Sequence, residues 1–307
     1  MTPDFLVTHS GGFHADDLMS TVLLTRLFPK AQLVRSRDDR WTTPAPDRVI
    51  YDVGRDFDAG KAIFDHHQKN PPLRADGRPF SSFGLIWREY GPRYLAALGV
   101  PAADIPKVHA EFDQSFVLPI DLMDNGAIDP GAAGPLASLS LPVLLEALKP
   151  VFDAKDRDAE DAAFVAAVEV ARALVEAVLR QMSAKLRAEA IVLSAINTAG
   201  PNPILELPMG MPYREAIEKA GADHLLFVIH PRDADWALNG IKISEASFAQ
   251  RADLPAEWAG LTDAALELAS GVKGAKFCHN ARFIAVADSR EAIMQLAELA
   301  VRSATKG

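Results

Sequence analysis

Phe5-Leu6-Val7-Thr8-His9-Ser10-Gly11-Gly12-Phe13-His14-Ala15-Asp16-Asp17 is the stretch on which the fold turns. Phe5-Leu6-Val7 reads as a short buried strand, and Gly11-Gly12 breaks the chain after it. From Asp16 to Phe28 the apolar residues Leu18, Val22, Leu23, Leu24 and Leu27 recur at helical spacing. Asp16 and Asp17 fall in the first turn, where carboxylates suit the positive end of the helix dipole. Pro29 ends the helix.

Working outward, 31–35 and 48–53 read as further strands, the latter closed by Gly54. Residues 61–64 form a fourth strand that runs straight into Asp65-His66-His67. Alternating short strands and helices predict an α/β fold with an open, largely parallel sheet wrapped by helices. Ligands of such sheets gather beyond the carboxyl ends of the strands, where these histidines and aspartates fall. After a Pro- and Gly-rich loop (70–80), helices are expected at 82–90 and 107–123. Pro150 and the charged run 153–161 mark a boundary, and 159–190 reads as one long Ala-rich helix. Beyond it, strand candidates at 190–193, 225–229, 236–243, 275–279 and 283–287 alternate with helices, the last at 290–302. The expected organisation is a catalytic domain (1–155), a helical connector (156–190) and a smaller C-terminal α/β domain that binds substrate (191–307).

A chain of 307 residues suits two domains, and its 49% hydrophobic content can build a sizeable core. The one cysteine, Cys278, excludes an internal disulfide and a Cys-rich zinc site, and it fits a reducing compartment. The N-terminus lacks a basic leader, and no stretch approaches the roughly 20 apolar residues of a membrane helix. The expectation is a cytoplasmic protein with no membrane partner. A net charge of −9 argues against broad binding to long nucleic acid. A local basic run (Arg26, Lys30, Arg35, Arg37, Arg40) is diluted by Asp38 and Asp39.

Four pieces carry chemistry: the opening stretch, Tyr51-Asp52-Val53-Gly54, Phe64-Asp65-His66-His67-Gln68, and Asp121-Leu122-Met123-Asp124-Asn125-Gly126. Imidazole nitrogens and carboxylate oxygens are the usual ligands of divalent manganese, zinc, iron or cobalt. A two-metal site needs a bridging carboxylate and several terminal ligands. Taken singly, His9 reads as a turn residue, Asp16 as a helix-start residue and Asp124-Asn125-Gly126 as a turn. Together they would leave buried, unpaired charge at adjacent strand ends, which is costly without a metal.

These motifs resemble the DHH phosphoesterase superfamily and, within it, the Myg family of metal-dependent hydrolases. The likeness continues through Ser247–Arg251, Leu254–Leu261, Ser270–Gly274 and Phe277–Ile284. The resemblance implies that His9, His14 and Asp52 hold one metal. Asp16, Asp52, His66 and Asp121 would hold a second, with Asp52 as the bridge and Asp124 as the alternative to Asp121. It implies two divalent ions, manganese first, with zinc, iron or cobalt as alternatives. The wider superfamily has Asp where this chain has His14, a change that favours softer ions. Asp65 would orient the metal shell, and His67 would act as proton donor or oxyanion partner. Family members carry Gly-Gly after Phe-Ile where this chain has Ala285-Val286, which removes a place for close backbone approach to a phosphate.

The implied reaction is phosphoester hydrolysis by a metal-activated water, exonuclease-like on single-stranded or short oligonucleotides. Arg251, Lys273 and His279 are the second-domain candidates for substrate binding. Small phosphorylated molecules, including pyrophosphate, are the alternative substrates, and a non-catalytic metal-binding regulator is the rival from another class. A metallopeptidase is disfavoured, because there is no His-Glu-x-x-His motif. A homo-oligomer is expected only by analogy.

Overall fold

The computed structural model describes residues 2–153, 156–244 and 247–305. Positions 154 and 155 of the charged boundary run lie outside the described residues. The chain divides into two compact units, Met1–Ser183 and Ala184–Gly307.

The first unit is built on a five-stranded sheet: β1 (Phe5–Thr8), β2 (Gln32–Arg35), β3 (Arg48–Tyr51), β4 (Phe57–Asp58) and β5 (Ile63–Phe64). Their order is β2-β1-β3-β5-β4. All pairs are parallel except β4 with β5, so the largely parallel sheet expected from the sequence is present with one short antiparallel edge. Period-two alternation sorts the side chains. Val7, Ile50 and Ile63 face one cluster with Val34 and Trp41. Tyr51 and Phe64, their neighbours along the strands, meet α1 (Ala15–Leu27) and α3 (Ser82–Ala97). Tyr51 Oη lies 2.7 Å from Thr21 Oγ1, and the Phe64 ring contacts Tyr90.

α3 runs seven residues beyond the expected 82–90, continuing through Gly91-Pro92. The single helix expected at 107–123 is three pieces: α4 (Ile105–Phe112), a π turn (Asp113–Val117) and α5 (Leu118–Asp124), with Pro119 in the first turn of α5. Before α3 the chain also forms a one-turn helix, α2 (Asp39–Thr42), and after α5 the short α6 (Leu141–Glu146).

α7 (Arg157–Ala199) is continuous for 43 residues. The strand expected at 190–193 is therefore helical. Val192, Ala195, Ile196 and Ala199 share one face at helical spacing and pack into the core of the second unit, which overrides the β-branched Ile191-Val192 pair. Gly200, at φ +57°, ends the helix.

The second unit carries β6 (Ile204–Glu206), α8 (Arg214–Lys219), β7 (Phe227–Pro231), β8 (Trp236–Gly240), α9 (Asp263–Ser270), β9 (Ala275–Cys278), β10 (Ile284–Ala287) and α10 (Arg290–Ala304). Its strand order is β6-β7-β8-β10-β9, parallel only between β6 and β7. Phe227 and Ile229 join one core with Trp258, Leu266, Ile293 and Leu296, while Val228 between them joins the other with Val192. Both faces of this sheet are thus covered. Among the described residues no helix is long and apolar enough to cross a membrane.

Candidate metal centre

Three adjacent parallel strands end at one place. β1 leads into His9, β3 into Asp52 and β5 into Asp65-His66-His67. The loop after β1 turns at Gly11, φ +95°, and enters α1 with Asp16 and Asp17 in its first turn. The His14 backbone N–H donates to Asp17 Oδ1 at 3.0 Å, which satisfies a donor at the helix start. Asp52 itself has φ +52°, an uncommon conformation for a non-glycine residue. Two residues on, Gly54 turns at φ +103°, where a Cβ would lie 2.8 Å from Ile63 Cδ1.

Asp52 stands at the middle of the cluster. Its Oδ2 lies 3.1 Å from His9 Nε2, and its Oδ1 lies 3.3 Å from His66 Nε2. His9 Nε2 is also 3.1 Å from Asp17 Oδ2. His66 Nε2 is 3.3 Å from Asp124 Oδ2 and 3.7 Å from Asp16 Oδ2. Ser82 Oγ donates to Asp16 Oδ2 at 2.9 Å, and Asn125 Oδ1 stands 3.3 Å from His66 Nδ1. His14, exposed, groups with Asp16 and Asp124.

Burial and the close approach of so many carboxylates shift the buried aspartates and the His9 and His66 imidazoles. Burial pushes Asp17 up to about 7 against the pull of His9, and burial with the charge of Asp16 pushes Asp124 up to about 9. Asp16 is raised by burial and by Asp52. Burial opposes charge on Asp52 too, but the His66 and His9 imidazoles outweigh it and hold the carboxylate below its ordinary range. Burial likewise opposes charge on the imidazoles, yet Asp17 and Asp52 raise His9 to about 10. Asp52, Asp16 and Asp124 raise His66 to about 10.

The donor set fits a divalent cation. Asp16 Oδ1, Asp17 Oδ2, Asp52 Oδ1 and His66 Nε2 are buried without a hydrogen-bond partner. Buried polar atoms are nearly always satisfied, and these four make no well-directed hydrogen bond, although Asp17 Oδ2 faces His9 and Asp52 Oδ1 faces His66 as ion pairs, so they remain available as donors to a cation. Carboxylate oxygen and imidazole nitrogen are the donors that manganese, zinc, iron and cobalt accept.

The two aspartates of α5 that the sequence left open are separated by the structure. Asp124 faces His66 and Asp16. Asp121, expected first as the ligand, is held elsewhere. Its Oδ1 accepts from Ser81 Oγ (2.7 Å) and the Gly84 N–H (3.1 Å), and its Oδ2 pairs with Arg74 at 2.7 Å. A side chain at Gly84 would collide with that carboxylate. One turn of helix spacing carries Asp124 to the cluster and Asp121 to the α3 side.

Asp65 is saturated. Its Oδ1 accepts from the His66 and His67 N–H groups and from His67 Nδ1 at 2.7 Å, and its Oδ2 accepts from the Arg55 N–H at 2.6 Å. Burial opposes its ionisation, but the bonds from His67 and Arg55 hold it below the usual carboxylate range. The Asp65 bond in turn raises His67, whose side chain remains 55% exposed. Sequence reading missed Asp17 as the partner of His9 and Asn125 as the partner of His66. Both lay in motifs already singled out, but their residue types were read as turn and helix-start residues. It also missed the role of Arg35. That buried guanidinium lies over the Phe164 ring, pairs with Asp161 at 2.6 Å and donates to Gly11 O at 2.5 Å, fixing the loop between His9 and His14.

The second-unit candidates do not form a comparable group. Arg251 is engaged by the protein: its Nη1 donates to Ala222 O (2.8 Å) and Leu225 O (3.1 Å), and its Nη2 to Asp223. Its guanidinium thus braces a loop within its own unit. His279 accepts from the Ala281 N–H at 3.0 Å and packs on Phe283, and Lys273 is exposed.

Known proteins resemble the chain over its whole length. The family model MYG1_exonuc, described as an uncharacterised protein family (UPF0160), matches residues 5–301. The MYG1 exonuclease of Homo sapiens is 30% identical over 336 residues, covering 99% of this chain and 88% of that protein. The MYG1 protein of Schizosaccharomyces pombe is 29% identical, covering 96% and 97%. Among solved structures, manganese-bound exonuclease RecJ aligns with 17% identity and a TM-score of 0.26, covering 99% of this chain and 90% of that one. RecJ of Thermus thermophilus with Mn2+ aligns with 15% identity and a TM-score of 0.28, covering 99% and 52%. With its family model matched from residue 5 to residue 301 and a human relative at 30% identity, the chain belongs to the MYG1 family.

Proposed function

We propose that the chain is a metal-dependent phosphodiester hydrolase, exonuclease-like on single-stranded or short oligonucleotides. The observation that carries the reading is the convergence of Asp16, Asp17, Asp52 and His66 atoms without a hydrogen bond at the ends of three parallel strands and the start of α1. The name of the human relative, MYG1 exonuclease, supports the same class.

His9, His14 and Asp52 would hold one ion, and Asp16, His66, Asp124 and Asp52 a second, with Asp52 presenting one oxygen to each side. Divalent ions there supply Lewis-acid stabilisation of phosphoryl charge and a lowered pKa for water. Manganese is the ion proposed first. Asp17 fixes the start of α1 through the His14 N–H. Asp65 accepts from His67 Nδ1 and raises the ring, so that the imidazolium carries a second proton at Nε2. His67 thus gives that proton to the leaving oxygen. The deep carboxylates exclude an unneutralised polyanion until the positive charge is in place.

The test is manganese-dependent hydrolysis of a labelled single-stranded oligonucleotide, a dinucleotide and pyrophosphate by wild type, Asp65→Ala and His66→Ala. Mononucleotide release by wild type alone supports the reading. Cleavage of the dinucleotide only narrows the substrate. Pyrophosphate cleavage only, activity that survives both substitutions, or no turnover of any substrate overturns it.

A further inference from the structure

Two clefts meet at the cluster. One, of about 550 Å³, is lined by the metal-ligand candidates together with the apolar Ile120, Met123, Pro142 and Val143. The other, of about 730 Å³, is lined by Arg55, Lys69, Gln68 and Thr42, with Asp39 as its acid away from the cluster. Arg37, Asp52 and His67 line both, so the junction of the clefts is also where the proposed chemistry sits.

The second cleft has the composition of an anion site. Arg37, Arg55 and Lys69 are exposed at its wall. Of its acids, Asp52 is committed to His9 and His66, and Asp65 is saturated by the hydrogen bonds described above. Arg55 is placed deliberately: its backbone is left-handed, φ +56°, and is held there by the bond from its N–H to Asp65. Gln68 donates from Nε2 to Asp65 O, and its buried Oε1 has no partner. That leaves an acceptor suited to a sugar hydroxyl. The first cleft offers no comparable cation beyond the shared Arg37 and the histidines. Its apolar wall suits a base or sugar.

We propose, on the phosphodiesterase reading, that the cleft of Arg37, Arg55 and Lys69 receives the phosphate that flanks the scissile one. The substrate class is then a nucleic-acid strand with successive phosphates, with its terminal nucleoside on the apolar side. Guanidinium groups bind phosphate oxygens through charge-assisted hydrogen bonds, and this arrangement reads a strand without reading its sequence.

The experiment compares a dinucleotide without terminal phosphate with the same dinucleotide phosphorylated at its 5′ or its 3′ end, using manganese-loaded protein. One terminal phosphate is expected to raise kcat/KM by about tenfold or more, chiefly through KM. The double variant Arg37→Ala/Lys69→Ala is expected to bring that ratio close to one. The same comparison is read by fluorescence anisotropy of labelled dinucleotides, which needs no turnover. If neither end gives a gain in rate or affinity, or if the gain survives the double substitution, the proposal is overturned. If wild type hydrolyses nothing, the hydrolase reading fails, and the affinity ratio still decides the subsite: a gain lost in the double variant supports it, and equal affinities overturn it.

Discussion

Asp52 reaches His9 with one carboxylate oxygen and His66 with the other, from a backbone at φ +52° that few residues other than glycine or asparagine adopt readily. Asp52→Asn therefore keeps the backbone and removes only the charge. It is expected to lower activity on the order of 10²–10³-fold and to lower metal content, measured by elemental analysis of the dialysed protein. Asp52→Asn that retains full metal content and rate would rule out the bridging position.

The two aspartates of α5 should separate function from stability. Asp124→Ala should lose metal and activity while folding normally. Asp121→Ala leaves Ser81 Oγ and the Gly84 N–H without their acceptor, while Arg74 keeps its pair with Asp113, and should cost roughly 1–3 kcal/mol in denaturant unfolding. It should still bind metal under native conditions. The opposite assignment of phenotypes would return the ligand role to Asp121.

The metal-free protein should lose stability as pH rises. His9 and His66 are raised from 6.5 to about 10, and Asp124 from 3.8 to about 9. Between the unfolded and folded values the native state holds more protons than the unfolded one, so stability falls with increasing pH. The contribution of the imidazoles is complete below 6.5 and gone once pH has risen through about 10. Metal ligation replaces those protons. The gap in Tm between manganese-loaded and chelator-treated protein should widen from about pH 6 to about pH 9, as followed by calorimetry. A gap that narrows contradicts the cluster described here.

Arg35→Lys keeps the charge but not the fork that spans Asp161 and Gly11 O, nor the planar stack on Phe164. The loop between His9 and His14 then loses its brace. Metal affinity should weaken about 10–100-fold, measured by competition with a chelating dye, with the rate at saturating metal changed far less.

The strand-end histidines and aspartates were legible because period-two strands and glycine breaks announce themselves locally. A largely parallel sheet was expected and places such residues at one end of its strands, whereas the order that makes β1, β3 and β5 neighbours is seen only in the structure. The choice between Asp121 and Asp124 was not legible. Both suit the same helix, and only the positions of Arg74, Ser81 and Gly84, some forty residues away in sequence, decide it. Arg251 looked available because sequence cannot show that two backbone carbonyls occupy its guanidinium. Ile191-Val192 looked like a strand because β-branched pairs favour one, and the helical spacing of Val192 with Ala195, Ile196 and Ala199 wins.

The donors at the end of the first sheet come from four segments far apart along the chain: His9, Asp52, His66 and Asp124. Ions held there, His9 with Asp52 on one side and Asp52 with His66 and Asp124 on the other, would fasten these four segments to one another, and would bind the native state alone. Free-ion supply then sets how often the unit opens and, with it, exposure to proteolysis. A cell short of the ion would lose the protein itself, and not only its catalysis.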